Sequence, residues 1–190
     1  MLKAATTYVR VVDRVNYVLG RIMMYSLFAM IAILLWSTIS KQMFTIPSYW
    51  TLEMAQFAMV GYYILGGPYA IQIGSNVRMD LIYGEVSERR KAMIDAVTVI
   101  FLLTYLGFLL YGGIASTAYS LGYFGSEPIG FFAGLVTGDA EMGFLERSPT
   151  AWRPYLWPIK VVMIVGIFLM LLQCLSELLK DVLRLKGEAI

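Results

Sequence analysis

The sequence has no histidine and a single cysteine, Cys174. Without histidine the chain cannot ligate haem or a metal through imidazole, relay protons through it, or activate a serine or cysteine with a histidine base. One cysteine makes no internal disulfide, no CxxC redox pair and no multi-thiolate zinc site. Charge is scarce too. Asp, Glu, Lys and Arg make up 15% of the 190 residues, against about 25% in an average soluble domain. A net charge of +2 is too small to argue for nucleic-acid binding. No GxxxxGK[ST] nucleotide loop occurs. What fills the chain is apolar: 59% hydrophobic residues and a mean hydropathy of +0.69. The few charges cluster and leave long stretches without any, which is the pattern of an integral membrane protein.

A spanning helix needs about 20 mostly apolar residues. Charge-free runs cover residues 22–40, 54–77 and 96–126, and a fourth, 154–176, is interrupted only by Lys160. The sequence therefore predicts a single all-α membrane domain over 1–190, with four transmembrane helices near 22–40, 54–77, 96–121 and 155–176. The third run exceeds what a perpendicular helix needs, so the helix is expected to tilt and to end early, near Gly122 and Gly125. The first run is longer than a signal-peptide core and lacks a small-residue cleavage site, so it is expected to stay as a membrane helix.

Eleven of the basic residues fall in the N-terminal tail, the loop between spans two and three, and the C-terminal tail. Lys41, Arg147 and Arg153 lie on the opposite side, with Lys160 at its edge. By the positive-inside rule both termini are cytoplasmic, as an even number of spans requires. Residues 1–20 and the C-terminal segment mix apolar and charged residues with helical spacing. They read as amphipathic extensions that continue a span or lie on the inner interface. Gly66-Gly67-Pro68 in the second span reads as a structural bend.

The outer loop, residues 122–154, contains an apolar run at 128–138 that is too short to span. Gly130, Gly134 and Gly138 recur every four residues, which suits either a helix with a smooth packing face or a loop turned by its glycines. The outer end of span two offers Trp50 as an interface anchor and Glu53 in the first helical turn, with Gln56 and Tyr63 continuing a polar stripe toward a partner or the interface. Lys160 needs water or a carboxylate at its depth, and Glu53 is a candidate mate. At the inner end of span two, Asn76, Arg78 and Asp80 group an amide, a guanidinium and an acid where the helix meets water. Trp50, Glu53, Gln56, Asn76, Arg78, Asp80 and Lys160 read as partner-contact or fold-fixing candidates rather than catalytic, cofactor or metal residues.

The order of these features is similar to that of a known family. Trp50-x-x-Glu53 opens the second span, Gly74-x-Asn76-x-Arg78-x-Asp80 closes it, and Glu88-Arg89-Arg90 follows. The fourth span starts Trp157-Pro158-Ile159-Lys160 and ends near Leu172-Gln173. The chain resembles the small membrane (Q) subunit of tripartite ATP-independent periplasmic, or TRAP, transporters, with Asn76 where the family commonly has histidine. The resemblance implies a non-enzymatic scaffold subunit in a sodium-coupled importer of organic acids, multi-pass in the inner membrane. Its implied partners are a large multi-span membrane subunit, which would hold the sodium and substrate sites, a periplasmic binding protein and membrane lipids. No cofactor is expected in this subunit. The competing expectations are a membrane-anchor subunit of an oxidoreductase complex, which would need a haem-free quinone site, and a stand-alone channel or exporter.

Overall fold

The computed structural model describes residues 2–44, 48–74 and 88–185. Among them the chain is helical: α1 (Leu2–Met43), α2 (Thr51–Gln72), α3 (Glu88–Ser120), α4 (Pro128–Thr137) and α5 (Trp157–Leu185). Three of these are long and apolar enough to cross a membrane, over Ala5–Met43, Val97–Ser120 and Trp157–Leu183. The 22-residue α2 has the length but not the apolarity. Gln56, Gln72, the glycines and the tyrosines dilute a segment that is free of charge from residue 54 onward. The inner end expected for span two, at 77, lies outside the described residues.

The 42 residues of α1, with no proline, make a rod about 63 Å long, roughly twice the hydrocarbon thickness. The N-terminal amphipathic segment is thus the same helix as the first span. The C-terminal segment likewise continues α5 without a break. α5 is the hub, packing against α1, α2 and α3, while α2 packs on α1. The buried core of this arrangement is Leu106, Ile167 and Cys174, enclosed by Ile71, Leu102, Leu110, Met163 and Met170. In a bilayer such contacts hold by close packing and interhelical hydrogen bonds, because lipid tails are as apolar as leucine.

Pro68 lies inside α2, which continues through it. Proline has no N–H, so the carbonyl of Ile64 loses its intrahelical donor. Gly166 of α5 is pressed against that point. A Cβ placed on Gly166 would stand 2.2 Å from Ile64 Cγ2 and 2.9 Å from the Ile64 carbonyl oxygen. A glycine Cα–H is the group that can approach a freed carbonyl this closely. Gly67, which meets Met170, and the Ile64 carbonyl freed by Pro68 therefore mark a packing site between α2 and α5, while Gly66 faces open space.

α3 stops where the sequence suggested. Tyr123 N donates to Ala118 O and Gly122 N to Tyr119 O, each at 3.0 Å, with Gly122 at φ +88°. This is a Schellman closure, and only glycine takes the left-handed position without strain. A Cβ on Gly122 would also come within 2.6 Å of the backbone at Gly143, whose N–H bonds to Leu121 O at 2.9 Å. The run at 128–138 is a helix: Pro128 opens α4 and Gly138, at φ +87°, ends it by bonding back to Gly134 O. The three glycines do not form a helix-packing face, because Gly138 is the stop and the chain folds back with Ala140 against Gly134. Phe131 is buried on α3's end and stacks on Tyr123 with ring centroids 4.6 Å apart.

Candidate docking surfaces and the polar ties that shape them

The outer polar residues fall into two separate ties. In the first, Glu53 stands in the opening turn of α2 and is only 4% exposed. Ser148 Oγ donates to Glu53 Oε1 at 3.0 Å. Thr51, also buried, donates to Ser37 Oγ at 3.0 Å and so binds the start of α2 to α1. Glu53 does not share an exposed stripe with Gln56 and Tyr63. A spacing of three rotates it about 60° from Gln56, and it turns inward while Gln56 and Tyr63 face outward. Trp50 is exposed at the outer rim, where Trp36 and Trp152 join it around a shallow aromatic cleft.

The second tie holds Lys160. Its Nζ lies 2.7 Å from Glu146 Oε2, donates to Ser116 O at 3.1 Å, and stands 5.9 Å from the Tyr119 ring centroid. The proposed Glu53–Lys160 pairing is therefore corrected: the mate is Glu146. The reason is the path of the outer loop. Glu146 N bonds to Ser120 O, Leu156 N bonds to Glu146 O, and Ser148 N bonds to Pro154 O, with Arg147 and Tyr155 bridged antiparallel. This short doubled strand sets Glu146 over α5's first turn and Ser148 over α2. The Arg147 guanidinium covers the Tyr155 ring at 4.3 Å from its centroid.

A third tie, at the inner end, was not singled out from the sequence. Asp13 of α1 accepts from Gln173 Nε2 at 2.9 Å and Ser176 Oγ at 3.1 Å, and its other oxygen lies 2.7 Å from Lys180 Nζ. Asn16 Nδ2 donates to Gln173 Oε1 at 2.7 Å, and Lys180 also pairs with Glu177 at 2.7 Å. Gln72 of α2 donates to the Asp13 backbone carbonyl at 3.1 Å, and Tyr8 OH to Leu172 O at 3.0 Å. Asn16, Gln173 and Ser176 are essentially unexposed. The signal in the sequence was the matched spacing of Asp13/Asn16 and Gln173/Ser176, three apart on each helix. Asn76, Arg78 and Asp80 lie outside the described residues.

Around these ties the surface is apolar. Phe28, Leu35, Phe101, Tyr105 and Phe108 are exposed along α1 and α3, and Phe124, Ile129, Val136, Met142 and Phe144 around α4. No group of three or more Cys, Asp or Glu with metal-ligand placement occurs among the described residues.

Neither a curated protein nor a solved structure matches the chain. A family model does, over residues 30–184: the DctQ component of tripartite ATP-independent periplasmic transporters. The match covers most of the described helices and lends no support to an oxidoreductase anchor. The chain belongs to the family of DctQ components, the small membrane subunits of these transporters.

Proposed function

We propose that the chain is the non-transporting scaffold of a sodium-coupled importer of organic acids. It packs against a large membrane subunit that carries the sodium and substrate sites, and its outer loop helps dock a periplasmic binding protein. In this reading α2 is the fourth span. Its 22 residues reach about 33 Å, enough for the hydrocarbon core, and its Thr51, Glu53 and Gln72 are drawn into the fold by Ser37, Ser148 and Asp13, while Gln56 and Tyr63 stay exposed. Both termini are then cytoplasmic, on the side where most of the arginines and lysines fall.

The observation that carries the reading is how the chain uses its charges. Asp13 is spent on Lys180 and Glu146 on Lys160, inside the fold, and what faces outward along α1 between Ile22 and Ile39 and along α3 from Val97 is largely apolar. Such a body offers surface to lipid and to a partner rather than a polar route for a solute. The exposed apolar side chains around α4 supply the outer docking face.

The test is reconstitution in liposomes under an inward sodium gradient. The chain alone should give no accumulation of an organic acid. Chain, large subunit and binding protein together should accumulate it, and deleting residues 128–138 should weaken docking of the binding protein and slow uptake. Accumulation by the isolated chain would overturn the scaffold role, and normal docking after the deletion would overturn the role of the outer loop.

A further inference from the structure

The basic residues of α1's first half stand at 3, 10, 14 and 21. At about 100° per residue these spacings return each to within about 20° of one line along the helix. Arg10, Arg14 and Arg21 are exposed, and none has a carboxylate partner among the described residues. Beside this line α1 and α2 part to leave a groove of about 380 Å³, lined by Gly20, Met24, Tyr63, Gly66, Ala70 and Ile73 among others. No heavy atom of the surrounding fold lies within 4 Å of where a Gly66 Cβ would stand, so the groove reaches down to bare helix. Arg21 directly follows the lining residue Gly20 and is tied to the groove's wall through Tyr17. Its Nη1 donates to Tyr17 OH at 2.8 Å, and Tyr17 meets the groove-lining Tyr69 edge-on, with centroids 5.8 Å apart.

A slot with apolar walls and guanidinium groups at one end has the polarity of a phospholipid. Its length decides between lipid and a partner's helix. Along α2 the lining runs from Tyr62 to Ile73, about 16 Å, which is one leaflet of hydrocarbon and half of what a spanning helix would occupy. Helical side chains lean toward the N-terminus, so Arg21 and Arg14 point to the headgroup end.

We infer that this groove binds an anionic phospholipid, with one acyl chain against Gly66 and the phosphate on Arg21 and Arg14. The orientation proposed above enters only in naming the leaflet, the inner one, whose lipids attract basic groups beside membrane helices.

The purified full-length chain, titrated with phosphatidylglycerol or phosphatidylcholine and read by native mass spectrometry, tests this. Phosphatidylglycerol should bind more tightly. Replacing Arg14→Gln and Arg21→Gln together should weaken it roughly thirtyfold, at about fivefold per arginine, and leave phosphatidylcholine unchanged. Gly66→Leu, which fills the slot but keeps both arginines, should weaken both lipids. Arg153→Gln, on the other side of the membrane, should change neither. Equal binding of the two lipids, or indifference to the arginine pair in variants that melt like the wild type, overturns the proposal. Full competition by soluble glycerol phosphate would reduce the site to a phosphate site and also overturn it. So would crosslinking of a cysteine placed at Tyr63 to a helix of the large subunit in native membranes. Because lipid is measured without partner or substrate, failure here would leave the scaffold reading standing.

Discussion

Ser148 in the outer loop donates a hydrogen bond from its hydroxyl to Glu53 Oε1 across 95 residues of sequence, at 3.0 Å. Glu53 is buried, and among the described residues its second oxygen, Oε2, has no partner. Removing Ser148 therefore strips a donor from a carboxylate that water does not reach. Ser148→Ala should cost about 1–3 kcal/mol. The cost should appear as a lower melting temperature and faster deuterium exchange across residues 146–156. Glu53→Gln keeps an acceptor for Ser148 and should be milder than Glu53→Ala. Exchange in that segment unaltered by Ser148→Ala would show that the contact does not hold the loop.

Lys160 and Glu146 form a pair at the outer end of α5, partly buried at 18% and 31% side-chain exposure. Breaking one side leaves the other charge without its mate, whereas replacing both removes the problem. Glu146→Gln and Lys160→Met should each destabilise by about 1–3 kcal/mol. The double variant should cost less than the sum, by a coupling of about 1 kcal/mol or more. Thermal melts of the four proteins close the cycle, and strict additivity would mean that the pair contributes nothing of its own.

These two ties show where reading the sequence stops. Charge-free runs located the long helices, and Gly122 and Gly138 stand at helix ends, because length, capping and apolarity are local properties. The mate of Lys160 is not local. Glu53 and Glu146 both lie on the predicted outer side, and only the Schellman turn at Gly122 and the doubled strand after it decide between them. For the same reason Asp13 and Asn16 read as ordinary polar residues of an amphipathic flank, and Gln173 and Ser176 as the end of the fourth span. Their meaning depends on α1 lying against α5, which periodicity within one helix does not reveal. α2 marks a different limit: absence of charge is a weaker criterion than apolarity, and its tyrosines, glycines and glutamines satisfy one and not the other.

At the inner end, Asp13 takes hydrogen bonds from Gln173 and Ser176 and the charge of Lys180. Asp13→Ala removes all three contacts at once while leaving the backbone carbonyl that Gln72 uses. A loss of about 1–3 kcal/mol is expected, with the N-terminal part of α1 separating first from the C-terminal part of α5. Cysteines at Val9 and Leu183 would report this as altered crosslinking, since they stand about one turn before Asp13 and one turn after Lys180, which are paired. Asp13→Asn should fall between wild type and Asp13→Ala, because it keeps an acceptor and loses the charge. Equal melting of all three proteins would show that the network contributes no stability.

Gly166→Ala should be the most damaging small change in the membrane interior. The added methyl would stand 2.2 Å from Ile64 Cγ2 and 2.9 Å from the Ile64 carbonyl oxygen, so either the Ile64 side chain turns away or α5 moves off α2. Overpacking of this kind costs about 1–3 kcal/mol. The two contacts separate experimentally. Ile64→Ala in the same chain removes the side-chain clash but not the clash with backbone, which Pro68 keeps without its usual donor. Rescue of Gly166→Ala by Ile64→Ala should therefore be partial, recovering some of the melting temperature but not the wild-type value. Full rescue would mean that side-chain crowding alone sets the α2–α5 distance. No defect in Gly166→Ala would mean that the helices do not approach this closely in the folded protein.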